Sequence, residues 1–320
     1  MKDFSNVLRA PYSQQQRRPC IELVANSKVH CTVSRKGTMV SANPENRPTS
    51  TLLEKVLNLS RVDPESDECW DLIWVIRRRG DVETFETAKT WCDSDDVIER
   101  TLAANLLGQL GGDNKRDTDG QQVYPFAGQS LPLLDKLLDD PEVDVIDAAI
   151  TALGHLDLYE PITDRPSLVT HPSADIRYTV ACALCRANSE IAIEFLIKLS
   201  EDEDEDVRDW ATFGLGTQCD NDTPPIRKAL FSRLADTHFE TQLEAIMGLA
   251  RRNDSRVIPH IKVELEADGV ALLVVDAAGE IASPDLVAPL EQLIEKWGVD
   301  TEGVEAALKR CKGESDPENE

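Results

Sequence analysis

At 320 residues the chain exceeds the size at which one compact core stops growing, so it must divide into domains or extend by repetition. Its apolar content of 41% is that of a folded protein, but only 5% is aromatic, which leaves Ala and Leu to do most of the packing. The formal charge of −25 is split unevenly: residues 1–48 hold eight Lys/Arg against three acids, and the remainder holds 26 bases against 56 acids, net −30. A body of that charge repels phosphate backbones, which argues against nucleic-acid binding by it, and no apolar run approaches the roughly 18–20 residues that cross a bilayer.

Residues 1–48 show no sustained periodicity and are rich in Gln, Ser, Asn, Arg and Pro. That composition predicts a disordered basic arm, suited to a nucleic acid, an acidic partner or the acidic body itself, with Met39 an alternative start of translation. Residues 1–20 lack the apolar core of a secretory signal. The expected compartment is therefore the cytoplasm, where the eight cysteines stay reduced.

From residue 49 to residue 312 one helical phrase recurs, opened near its start by a predicted capping box at Thr51 and Glu54. An acid and a turn precede a branched apolar residue, usually followed by a charge, then by small residues and a Leu-Gly-like pair. The phrase runs from Asp144 and Val145 to Gly154, from Asp175 and Ile176 to Cys185, and from Asp206 and Val207 to Gly216. Counted from the branched residue, apolar or small side chains fall at offsets 0, 4, 7 and 8, one face of a helix. Weaker copies end at Arg77, Gly108, Ala250 and Gly279, giving intervals of 31, 46, 31, 31, 34 and 29 residues.

A period near 31 accommodates two short helices. Second helices are predicted at 131–138, 192–199, 226–234, 257–265 and 286–294, with Thr223 before Pro224 and Pro225, and Ser283 before Pro284, as helix starts. The single long interval coincides with a polar, Gly-rich insertion at 111–130, and residues 313–320 read as a disordered acidic tail. Neither helix of a pair can bury its stripe alone, so the array predicts an all-α solenoid (superhelix) of about seven helical-pair repeats.

The run from Asp206 to Gly216 resembles HEAT repeats of the short bacterial class, also found in phycobilisome-lyase-like proteins. The segments Trp74 to Asp81, Leu106 to Gly111 and Gly248 to Arg252 carry the same likeness, which implies an armadillo-like helical architecture and no single function. HEAT repeats set an Asp a few residues before a Val-Arg pair, forming a ladder between repeats. Asp140, Asp202 and Asp236 occupy that offset, His171 replaces it once, and Arg177 and Arg208 supply the arginines, so the expected ladder is partial.

Candidate chemistry is sparse. Asp202, Asp204 and Asp206 have the first spacings of a Ca²⁺ loop, but Val207 and Phe213 stand where Gly and Glu are needed. Asp117, Asp119 and Gly120 fail in the same way, with Lys115 and Phe126 at the loop's ends. Cys182 and Cys185 lack a second ligand pair for zinc and read as packing residues. No His-Glu dipeptide, nucleophile triad or phosphate loop appears, so no catalytic, metal or cofactor site is expected. At offset 3 Trp210 reads as core, whereas Phe213 at offset 6 falls off the buried face.

The favoured reading is a non-catalytic scaffold binding a protein or peptide partner, one with a basic surface suiting the acidic body. Its candidate contact residues on the concave helices are Arg177, Tyr178, Arg208, Asp209 and Phe213. The alternative is a lyase-like enzyme or accessory of the phycobilin-lyase kind.

Overall fold

The computed structural model describes residues 47–112, 123–297 and 302–314. The expected arm, apart from its last two residues, lies outside them, as do Met39, the centre of the insertion and most of the acidic tail. Among the described residues all regular structure is helical.

The chain forms two compact units, one reaching residue 183 and the other beginning at residue 184. The first holds α1 (Thr49–Ser60), α2 (Asp67–Arg79), α3 (Val82–Trp91), α4 (Val97–Leu107), α5 (Ala127–Leu137), α6 (Val143–His155) and the short α7 (Glu160–Thr163). Helix α8 (Ala174–Leu184) belongs to it except for its last residue. The second holds α9 (Glu190–Leu199), α10 (Glu205–Phe213), α11 (Pro224–Arg233), α12 (Phe239–Arg251), α13 (Ile258–Glu266), α14 (Leu272–Ile281), α15 (Val287–Trp297) and α16 (Glu302–Cys311).

The helices begin where short polar side chains can accept from free backbone N–H groups. Ser66 accepts from Cys69 N at 3.3 Å, Asp81 from Thr84 N at 2.8 Å, and Asp96 from Ile98 N at 2.9 Å. Thr223 caps α11 as expected, with Pro224 and Pro225 in its first turn. Within the acidic run, Asp204 accepts from Asp206 N and Val207 N and so caps α10.

Two local expectations need correction. The box at Thr51 and Glu54 does not form, because α1 starts three residues earlier, after Pro48, with no side-chain cap. Thr49 instead donates to Asp81 at 2.6 Å and accepts from Arg79 at 3.0 Å. The insertion is shorter than 111–130, since α5 already begins at Ala127, and Phe126 just before it stacks on Phe85 with ring centroids 4.9 Å apart. Ser283 caps a 3₁₀ turn, Pro284–Leu286, that runs directly into α15, so the expected helix start holds with a 3₁₀ first turn.

Every phrase lies on an even-numbered helix, and within each unit successive even-numbered helices pack on one another. Small residues allow the approach. A methyl group added at Gly248 on α12 would lie 2.5 Å from the Cα of Gly216, and one added at Gly108 would lie 2.8 Å from the Cα of Ala152 on α6. Cys182 in the first unit and Cys185 and Ala211 in the second are buried, the cysteines as packing residues. The phrase on α2 sits one residue later than its sequence spacing indicated: Ser66 as N-cap makes the buried Cys69 the equivalent of Val207.

Helix α10 departs from its neighbours by ending in a π-helical turn, Gly214–Gln218. The widened turn turns its carbonyls toward the buried guanidinium of Arg252. Arg252 donates to the carbonyls of Leu215 (2.8 Å), Gly216 (3.1 Å), Gly248 (2.9 Å), Cys219 (2.7 Å) and Asn221 (2.9 Å).

Candidate interaction surface

The ladder is built from the residue that follows the branched position. Arg208 donates through Nε and Nη2 to the two carboxylate oxygens of Asp236, both at 2.9 Å. Its Nη1 donates to the carbonyls of Asp202 (3.0 Å) and Glu203 (3.1 Å) in its own repeat. Arg177 makes the same pair of carbonyl contacts, to His171 at 2.7 Å and Pro172 at 3.3 Å.

Arg100 repeats the pattern. It binds Asp140 through both Nε (2.7 Å) and Nη2 (3.1 Å), and the Ser94 carbonyl through Nη1 at 2.9 Å. The sequence pattern missed Arg100 because Glu99, not a branched residue, precedes it. Gln242 fills the position on α12 and donates to the Asp236 carbonyl. On α2 the position is taken by Trp70, which with Trp74 faces the Arg77 guanidinium at 5.9 and 5.2 Å.

Asp236 is almost fully enclosed. Burial works to raise its pKa, but the hydrogen bonds from Arg208 and the His238 backbone N–H, with the charges of Arg208 and Arg233, outweigh it and hold the carboxyl below its ordinary value. An open cleft beside this pair is lined by Asp202, Arg208, Ser232, Arg233, Ala235, Asp236 and Thr237. The ladder arginines are thus committed to holding the stack, which limits what they offer a partner.

The five expected contact residues divide between the units: Arg177 and Tyr178 in the first, Arg208, Asp209 and Phe213 in the second. Arg177 and Asp209 are buried, Asp209 at 0% exposure, so neither presents a surface. Tyr178 is half-buried with its hydroxyl inside. Phe213, half-buried like Tyr178, meets the buried Trp210 edge-on, 5.5 Å between centroids at 83°.

Asp147 was not anticipated. It lies on α6, accepts from Thr179 of α8, and is pushed up to about 6 by burial first and by Asp175, Asp144 and Glu65 after it. No group of three or more His, Cys, Asp or Glu among the described residues is placed to hold a metal ion, and no described helix is long and apolar enough to cross a membrane. Asp204 serves as a helix cap, and the second partial Ca²⁺ pattern lies outside the described residues.

Comparison with known proteins agrees with this geometry. Residues 130–216 match the family model for HEAT repeats. The chain is 28% identical to Protein YibA of Escherichia coli strain K12 over 244 residues, covering 74% of this chain and 83% of YibA. The X-ray structure of YibA superposes with a TM-score of 0.66 at 24% identity, over 86% of this chain and 99% of that one. The CpcE and CpcF complex of phycocyanin lyase from Nostoc aligns over 87% of this chain and 99% of that one, at 14% identity and a TM-score of only 0.39. Capped helical pairs, glycine-and-alanine seams and Arg/Asp pairs, together with the likeness to the YibA structure, show an all-α solenoid fold, in which residues 130–216 carry HEAT repeats.

Proposed function

We propose that the protein is a non-catalytic scaffold that binds a protein partner on the solvent face of its even-numbered helices. The observation that carries this reading is Phe213: an aromatic ring only half-buried, yet fixed edge-on against the buried Trp210. A rigid, partly wet aromatic with a buried aromatic behind it is the kind of group on which interfaces concentrate their binding energy. The repeat architecture supports the reading, since a stack of helices offers an extended surface built from equivalent positions.

The test is affinity capture from native extract with the wild-type chain and with Phe213→Ala. A stoichiometric protein retained by the wild type and lost by the variant, with the melting temperature unchanged within a few degrees, is the expected result. A variant that captures every partner as well as the wild type does would sink the assignment.

A further inference from the structure

The second unit carries more on this face than Phe213. Counting each helix from its branched position, offsets −1, +2, +3, +6 and +10 fall within an arc of about 100° on a helix of 3.6 residues per turn. For α10 and α12 the origins are Val207 and Thr241. For α14 the origin is Val270, because Gly279 then meets Ala307 of α16 as Gly216 meets Gly248 one repeat earlier.

Asp209 and Glu244 of this arc are buried, Glu244 accepting from Thr217 at 3.0 Å, and the rest of the arc collects apolar side chains across three alternate helices. Helix α10 gives Trp210 and Phe213, α12 gives Leu243 and Met247, and α14 gives Leu272 and Leu273. Leu272 is 54% exposed, Phe213 and Leu273 are half-buried, and the α12 pair forms the floor between them. With neighbouring axes about 8–10 Å apart, the strip runs on the order of 16–20 Å.

Its border is acidic. Glu240 lies at −1 on α12, and Asp276 and Glu280 at +6 and +10 on α14. Asp276 and Glu280 are like charges four residues apart on an exposed helix surface, an arrangement that weakens a helix by itself. Asp276 is held above its ordinary pKa, by burial first and by Glu280 second. Two bases reach this border: Arg251 is turned to the Thr217 carbonyl and to Asp220 at 3.1 Å, and Arg310 of α16 lies 3.7 Å from Glu280 on the exposed surface, where a partner's cation would compete with it.

An apolar strip about three helical turns long, edged by carboxylates, is complementary to one occupant. We propose that the second unit docks a basic amphipathic helix of its partner across α10, α12 and α14, with apolar side chains on Phe213, Met247 and Leu273 and Lys or Arg against Asp276 and Glu280. Anchors at i, i+3, i+4 and i+7 suit the strip, and carboxylates on the rim set orientation and salt dependence. The proposal rests on the scaffold reading above and assigns the chemistry of the partner.

The test uses the full chain and a 16-residue helical peptide with Leu at those four positions and Lys elsewhere, against a second peptide with every Lys replaced by Glu, measured by calorimetry. The Lys peptide is expected to bind at least about tenfold more tightly than the Glu peptide. Phe213→Ala should weaken it about tenfold, Leu272→Ala with Leu273→Ala similarly, and Asp276→Asn with Glu280→Gln should weaken it and flatten its salt dependence. Leu272 is exposed, so that variant keeps the test sound if Phe213→Ala fails to fold.

Equal binding of both peptides, or Lys-peptide binding indifferent to the leucine and carboxylate variants, overturns the proposal. If native partners are still captured through Phe213 while the Lys peptide does not bind this face, the scaffold reading stands and the basic-helix inference falls. If neither is bound, both fall.

Discussion

At Arg208 one guanidinium joins two repeats, giving two donors to Asp236 and a third to the turn that opens its own helix. Alanine there leaves a nearly enclosed carboxylate with Arg233 and one backbone N–H. The expected loss is about 2–3 kcal/mol, because breaking one side of a buried pair costs more than the pair contributes. The acid profile should change as well. The folded-state pKa of Asp236 lies below its unfolded value, so on acidification the unfolded chain takes up the proton first. The stability supplied by the pair is therefore complete above about pH 4 and is lost as pH falls through the folded pKa. Arg208→Ala should flatten that acid limb in denaturant melts at graded pH; an unchanged limb would show that the pair contributes nothing.

Asp147 has the opposite sign. Its folded pKa of about 6 lies above the unfolded value, so ionisation costs stability as pH rises from about 4 to about 6 and the cost persists above that. Asparagine keeps an acceptor for Thr179 and removes the charge beside Asp144 and Asp175. Asp147→Asn should stabilise the protein by about 1–2 kcal/mol at pH 7.5 and by nothing near pH 4. A variant less stable than wild type at pH 7.5 would refute this.

At the scale of the element, the seams and turns set the limits. Gly248 faces the Gly216 backbone, and neither helix can yield without moving the π turn that Arg252 fastens. Gly248→Ala should cost more than about 2 kcal/mol although alanine is the better helix former, because overpacking outweighs propensity here. Ala282 ends α14 at φ 48°, a left-handed conformation that an L side chain resists. Ala282→Gly should therefore raise stability by about 0.5–1 kcal/mol in chemical melts, and a fall would show that its side chain packs more than its backbone strains.

These elements also show what could be read from the sequence. The even-numbered helices, their offsets, the Thr223 cap and the packing role of Cys182 and Cys185 all follow from short-range spacing, which a sequence displays directly. The sixteenth helix has Val304, Ala307, Leu308 and Cys311 at helical spacing but no acid-turn opening, so the phrase passed over it. Between α6 and α8 only α7 and one 3₁₀ turn form, where Pro161, Pro166 and Pro172 interrupt the chain. The π turn depends on Arg252, more than 30 residues away, and the burial of Asp209 depends on neighbouring helices; neither leaves a local trace. Of the contact set, Phe213 was legible because its offset alone takes it off the buried stripe.

For the molecule as a whole, contacts within each unit run mainly between helices one or two apart in order, that is within a repeat or between neighbouring repeats, so stability is close to a sum of repeat terms and neighbour interfaces. Damage to one interface should then remain local. Gly248→Ala strikes the seam between α10 and α12, in the second unit. Hydrogen exchange followed by mass spectrometry should show faster exchange in α10, α12 and α14, whose packing depends on that seam, and unchanged protection in α1 to α4 of the first unit. The denaturant transition should broaden, since one group of repeats now opens before the others and two-state behaviour fails. If exchange rises equally in both units, the chain unfolds as one cooperative body, and the additive account of its repeats is wrong. The same experiment on Asp147→Asn reverses the pattern, with protection gained around α6 and α8 and none gained in α12 or α14.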